Sequence, residues 1–148
     1  MTEPIIENIS DNIATTLAGV TLAAGYNQTL TVRRARRNDY EVAAEDNYTA
    51  IITQTEEIER EGPYGLHDKG MNYDIDVTVM DDDRTTTSID TLKNRVRSDI
   101  EKILRVDPTR GGYAIDTVLK PPVNFTNGIA VQIEVWYRTD ADNPYSQT

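Results

Sequence analysis

The sequence predicts a two-layer α+β domain: a mostly antiparallel sheet of about five strands with two amphipathic helices on one face, in the order α-β-β-β-α-β-β. Three observations carry this expectation. Apolar residues recur at intervals of three and four over 4–24 and again over 88–105. Strict alternation of apolar and polar residues runs through 71–80 and 128–138. At 148 residues, with no internal repeat or linker, the chain has the size of one domain spanning 1–148.

The first helix is read over 4–24, where Ile6, Ile9, Ile13, Leu17 and Val20 mark one face. Pro4 suits a first helical position, Glu3 and Glu7 oppose the positive end of the helix dipole, and Gly25 suits the left-handed residue beyond the end. Strands follow at about 28–34, around Leu30 and Val32, and at about 48–55, around Tyr48, Ala50 and Ile52. The stretch 56–70 holds four glutamates, three glycines and Pro63, and reads as a long mobile loop or as a hairpin whose tip orders on contact. In 71–80, Met71, Tyr73, Ile75, Val77 and Val79 face one way, and Asn72, Asp74, Asp76 and Thr78 the other. The second helix, over 88–105, carries Ile89, Leu92, Val96, Ile100 and Ile103 as its stripe, with Thr87 and Asp90 as a capping box and Arg97, Glu101 and Arg105 as an outer ladder. Strands at about 113–120 and 128–138 complete the sheet, and 139–148 is left as an extended polar tail.

Composition narrows the function classes. Leu, Ile, Val and Phe occupy 33 positions, about 22% of the chain, so a core is possible but thin and a partner subunit could supply part of the stability. Cysteine is absent, which excludes disulfides, thiolate metal sites and thiol catalysis. No apolar run approaches the roughly 18 residues that span a bilayer. No basic residue precedes Arg33, so no secretory signal is expected. The formal charge is −10 and it is segregated: from Asp39 to Asp83 there are 14 acids and two bases. Such a segment repels phosphate, so sequence-reading contacts to DNA are not expected.

Candidate sites follow from what remains. The basic cluster Arg33, Arg34, Arg36 and Arg37 is either a set of intramolecular salt-bridge partners or a docking surface for an acidic neighbour. Asp74 and Asp76 share a strand face and, with Asp81, are the weak candidates for a divalent ion; a hard cation wants six or more oxygens, so no metal and no cofactor is expected. His67, the one histidine, has no acid or nucleophile placed beside it by spacing. Trp136 falls on the face that carries Gln132, Glu134 and Arg138, where it is either covered by a loop of its own chain or buried against another subunit. Nothing assembles an active site, and an enzyme is not expected.

Three stretches carry a resemblance. The opening Glu3-Pro4-Ile5-Ile6-Glu7-Asn8-Ile9, the run Asp99-Ile100-Glu101-Lys102 leading to Asp107-Pro108-Thr109-Arg110-Gly111-Gly112, and the ending Glu134-Val135-Trp136-Tyr137-Arg138 with Asn143-Pro144-Tyr145 resemble small tail proteins of long-tailed bacteriophages. The chain is similar to the tail terminator or tail-completion family, of the minor tail protein U type. Head–tail connector and head-closure proteins share its size and role. The resemblance implies a structural virion protein, assembled in the host cytoplasm, that forms a homohexameric ring at the head-proximal end of the tail tube. That ring stops tube polymerisation and offers a head–tail joining surface. Its implied partners are itself, the tail tube protein and the head connector protein, with genome DNA passing through the bore. The alternative of another class is an acidic soluble adaptor or chaperone that binds a basic partner. Within the ring reading, Arg33, Arg34, Arg36, Arg37 and Trp136 are the expected subunit interface, with the arginines set against the acidic segment of a neighbour. Tyr64, Leu66 and His67 are expected to give the 56–70 segment something to bury on docking.

Overall fold

A computed structural model of the protein describes residues 2–35, 48–61, 66–80, 87–140 and 143–147. Helix α1 (Ile5–Leu17) opens the chain, followed by β1 (Thr31–Arg34), β2 (Thr49–Glu61), β3 (Leu66–Thr78), α2 (Ile89–Leu104), β4 (Asp116–Leu119), β5 (Val123–Phe125) and β6 (Gly128–Asp140). The six strands form one sheet in the order β1-β2-β3-β6-β4, with β5 also paired to β6. Every pairing is antiparallel except β1 with β2. The order of elements and the α+β class agree with the expectation from sequence. The three-residue β5 is additional to it.

Register shows how one face becomes the core. Ala50, Ile52 and Gln54 of β2 lie opposite Val77, Ile75 and Tyr73 of β3, which in turn lie opposite Ile129, Val131 and Ile133 of β6. On this face pack Ile5, Ile9, Ile13 and Leu17 of α1 together with Val96, Ile100 and Leu104 of α2. Both helices therefore cover the same side of the sheet. Burying a side chain of this size contributes about 1.5–3 kcal/mol, which is how a chain with few large apolar residues holds two layers together.

Several boundaries differ from the periodicity. Helix α1 stops at Leu17, short of residue 24, because Ala18 and Gly19 close it in a tight turn. Val20 still reaches the core, from that turn, and so continues the apolar pattern beyond the helix. Gly25, at φ 92°, belongs to a later turn in which Tyr26 N–H donates to the Thr21 carbonyl. The N-cap of α2 is Ser88, whose hydroxyl accepts from Asp90 N–H at 3.3 Å, in place of Thr87.

Of the two readings of 56–70, the hairpin is the one the pairing of β2 with β3 supports, with strands longer than expected. Residues 56–61 and 66–70 belong to β2 and β3 and form the far half of their antiparallel pairing, out to Glu61 opposite His67, so Leu66 and His67 are strand residues. The polar composition hid the strand because the far half extends where few apolar partners are needed. The polar end of the chain also differs from an extended tail. β6 runs on to Asp140, and the segment beyond it folds back: Pro144 accepts from Ile5 N–H at 3.0 Å and Ser146 from Asp140 N–H at 3.0 Å.

Candidate assembly surface

The far half of the hairpin has two unlike faces. A register shift between Gln54 and Glu57 breaks the pairing of β2, after which Glu57 lies opposite Met71 and Glu59 opposite Lys69. On the helix side, Glu57 accepts a hydrogen bond from the Tyr137 hydroxyl and Glu59 pairs with His67 Nδ1. Burial, reinforced by the Glu57 carboxylate, pushes the Tyr137 phenol upward, while the His67 contact lowers Glu59 below the usual carboxylate range. His67 thus has an acid partner that its spacing did not reveal.

The opposite face carries the tryptophan. Gly70 of β3 lies between Ile58 of β2 and Trp136 of β6 in register. The indole lies directly over this glycine: a Cβ there would come within 2.8 Å of the ring. Trp136 Nε1 donates to Glu134, its neighbour on the same face. Two residue pairs further along, Asp68 and Arg138 form a bidentate pair at 2.6 and 3.0 Å. Trp136 is therefore covered partly within its own chain, by a strand glycine and not by a loop, the intramolecular alternative read from sequence. Ile58 beside it stays 45% exposed.

The expected basic cluster divides. Arg34 donates to Glu7 at 2.7 Å and to Asp11 at 3.1 Å, both on α1, and its guanidinium is held above its ordinary value by Glu7. Its carboxylate partners thus come from the N-terminal helix, where the acidic segment was expected to supply them. Under that ion pair, Ser10 Oγ reaches Tyr73 Oη at 2.7 Å and Gln54 Oε1 at 2.8 Å, joining α1 to the sheet through a buried polar network. Arg33 is half-buried on β1. Arg36, Arg37 and Tyr64 lie outside the described residues.

A second surface was not anticipated at all. Along the β4–β5 edge of the sheet, Tyr113, Ile115, Val118, Val123 and Phe125 are all exposed, Phe125 to 51%. Within β5 the side chains alternate. Val123 and Phe125, paired to Ala130 and Gly128, turn outward, and Asn124, paired to Ile129, turns toward α2. There Lys93, only 7% exposed, donates to Asn124 Oδ1 at 2.9 Å and to the Phe125 carbonyl at 2.6 Å. Asp90, Lys93, Asn94, Arg97 and Asn124 line a groove of about 380 Å³ between α2 and β5, and Arg97 pairs with Glu101 at 3.4 Å. The polarity of 88–105 was legible, but no sequence signal says that a three-residue strand will leave its two apolar residues on an outer edge.

Asp74 and Asp76 do share the outer sheet face, where Asp74 accepts from Gln132 at 3.3 Å. Burial, with the neighbouring Asp74, raises the Asp76 carboxyl. Asp81 lies outside the described residues, and among those described no three His, Asp or Glu side chains converge as metal ligands. Nor, among them, is any helix long and apolar enough to cross a membrane.

Arg110 is the unexpected internal charge. It sits at φ 50° and wholly buried, donating to the Leu104 carbonyl at 2.5 Å and to the Asp107 carbonyl, so that it caps the C-terminal end of α2. Burial lowers its guanidinium, and its Nε and Nη1 have no protein partner. Gly111 and Gly112, both with positive φ, let the chain turn back after it.

What the fold defines, among the described residues, is a two-layer α+β protein with an exposed apolar margin along β4 and β5 and a polar far half of the β2–β3 hairpin. No protein-family model matches the chain, and comparison with characterised proteins returns no match.

Proposed function

We propose that the protein is a structural component of a long-tailed phage particle, a ring at the head-proximal end of the tail tube that stops tube growth and presents a joining surface to the head. The observation that carries this reading is the β4–β5 edge, where five large apolar side chains stay exposed beside short strands. A lone subunit gains nothing from that edge, whereas a neighbour that covers it removes apolar surface from water and closes an open strand. The family resemblance of the opening, the Asp107–Gly112 run and the ending supports the tail role in particular. Work of this kind is done by assembly, with no chemical turnover.

The test is direct. Purified subunits are added to polymerising tail tube protein and the tubes are measured by negative-stain microscopy. Capped tubes of limited length, with rings near six protomers, are the expected result. Subunits that stay monomeric at every concentration and leave tube length unchanged would overturn the proposal. Rings that bind head connectors and ignore tubes would reassign the protein to the head side of the joint. A monomer that instead captures a basic protein would favour the adaptor reading.

A further inference from the structure

The edge of β6 beyond β4 is closed by the chain itself. β4 pairs with β6 as far as Asp116 opposite Trp136, and Ile115 N–H donates to the Trp136 carbonyl at 2.6 Å. β6 continues past that point to Asp140. Backbone groups of every second strand residue point to the same side, so this edge runs on through Arg138 and Asp140. There the segment 143–147 takes over from β4. The Arg138 carbonyl accepts from Gln147 Nε2 at 2.9 Å. Asp140 N–H donates to the Ser146 carbonyl at 3.0 Å, and the Asp140 carbonyl accepts from Asn143 N–H at 3.2 Å.

This segment contributes little to the core. Asn143, Pro144, Tyr145 and Gln147 are exposed, Tyr145 to 48%. Its remaining contacts are hydrogen bonds too. The Pro144 carbonyl accepts from Ile5 N–H at 3.0 Å, at the start of a helix whose N-cap, Pro4, makes no side-chain cap. Gln147 Nε2 also donates to the Tyr113 carbonyl at 2.6 Å. What the segment does fill is the set of donors and acceptors that an incoming antiparallel strand would take. An unpaired strand edge is a template for another chain. The same edge of a second copy, turned about a two-fold axis, always offers matching groups, at the subunit's own concentration.

We propose that the segment 143–147 is an autoinhibitory edge cover. It holds, within one chain, the β6 edge at Arg138 and Asp140 through which a second copy would otherwise add, β6 against β6. The ring reading rests on apolar side chains along β4 and β5, and this proposal on the β6 backbone beyond them, so each can fail alone.

The test opens the edge and reads who arrives there. One chain is shortened to end at Asp142. A full-length Asn143→Ala/Gln147→Ala variant loses the Asn143 Oδ1 bond from Tyr145 N–H and both Gln147 bonds, and keeps the rest of the segment. Each of these, and the full-length parent, carries Asp140→Cys as its single cysteine, since the natural sequence has none. A short bismaleimide then captures copies whose β6 edges meet, and circular dichroism checks each fold. The shortened chain is expected to give a crosslinked dimer in several-fold higher yield than the parent, with the double point variant in between. A folded shortened chain that crosslinks no more than the parent would overturn the proposal. An equal gain with the cysteine moved to Glu56, on β2 and away from this edge, would overturn it as well, because it would mean general association. If the shortened chain does not fold, the point variant decides: a raised yield at residue 140 supports the cover, and a yield at the parent's level removes it.

Discussion

Single side chains decide how this sheet is sealed. Trp136 and Gly70 act as a unit, the indole filling the space that a Cβ would otherwise occupy. Gly70→Ala is expected to push the ring aside at a cost of about 1–3 kcal/mol, read from urea unfolding followed by the single tryptophan's fluorescence. Tyr73 gives a pH signature. Burial raises its phenol to about 12, against about 10 in the unfolded chain. The fold favours the neutral phenol, so its contribution is complete below pH 10 and is lost as pH rises through 12. Stability should fall over that window by on the order of 2 kcal/mol from this group, and Tyr73→Phe should flatten the fall in alkaline urea titrations. Asp107 runs the other way. The Thr109 hydroxyl and the Gly111 and Thr109 amides hold its carboxyl below the usual range. That contribution is present above the unfolded value, near pH 4, and is lost as pH falls through the folded one. Asp107→Ala should therefore be less stable than the parent at pH 7 and converge with it toward pH 2, as measured by denaturant midpoints.

At the scale of elements, the helices hold by their caps and by what they grip. α2 begins on the Ser88 hydroxyl and ends on the buried Arg110 guanidinium. Ser88→Ala should cost about 1 kcal/mol, seen as a lower denaturant midpoint with an unchanged slope. The periodic apolar stripes of both helices and the alternation of 71–80 and 128–138 were legible because each element buries one whole face, and burial imposes its period on the sequence. The length of the hairpin's strands was not legible, since Glu57 is held by Tyr137 of β6, eighty positions away, and Glu59 by His67 only once the hairpin has paired. A polar strand at a sheet margin writes no apolar pattern.

For the molecule as a whole, the segregation of charge acquires a geometric meaning. In the proposed ring, exposed acids of the hairpin such as Glu56 would face bases of a neighbouring copy. Assembly is expected to weaken as salt rises over roughly 0.05–0.5 M, where the Debye length shrinks below the reach of exposed pairs. Light scattering at matched protein concentration checks this; assembly indifferent to salt would mean that the apolar contacts alone carry the ring. Arg34 is committed to α1, which makes Arg36 and Arg37 the members of the basic run left to test. Replacing both by glutamate should leave the circular dichroism spectrum unchanged and lower the degree of assembly.

The sequence by itself determined the two amphipathic helices, the strand alternation, the α+β class and the uneven charge, because each of these is a local or compositional property that one chain segment expresses alone. Tertiary structure alone decided which glycine lies under Trp136, that 56–61 and 66–70 are strand, that Arg34 answers α1, and that Val123 and Phe125 are left exposed. Those outcomes depend on register and strand order, through which residues eight to eighty positions apart become neighbours. Hydrophobic period records which face is buried, whereas register is set by the joint fit of several strands, and a single strand's sequence does not contain its partners.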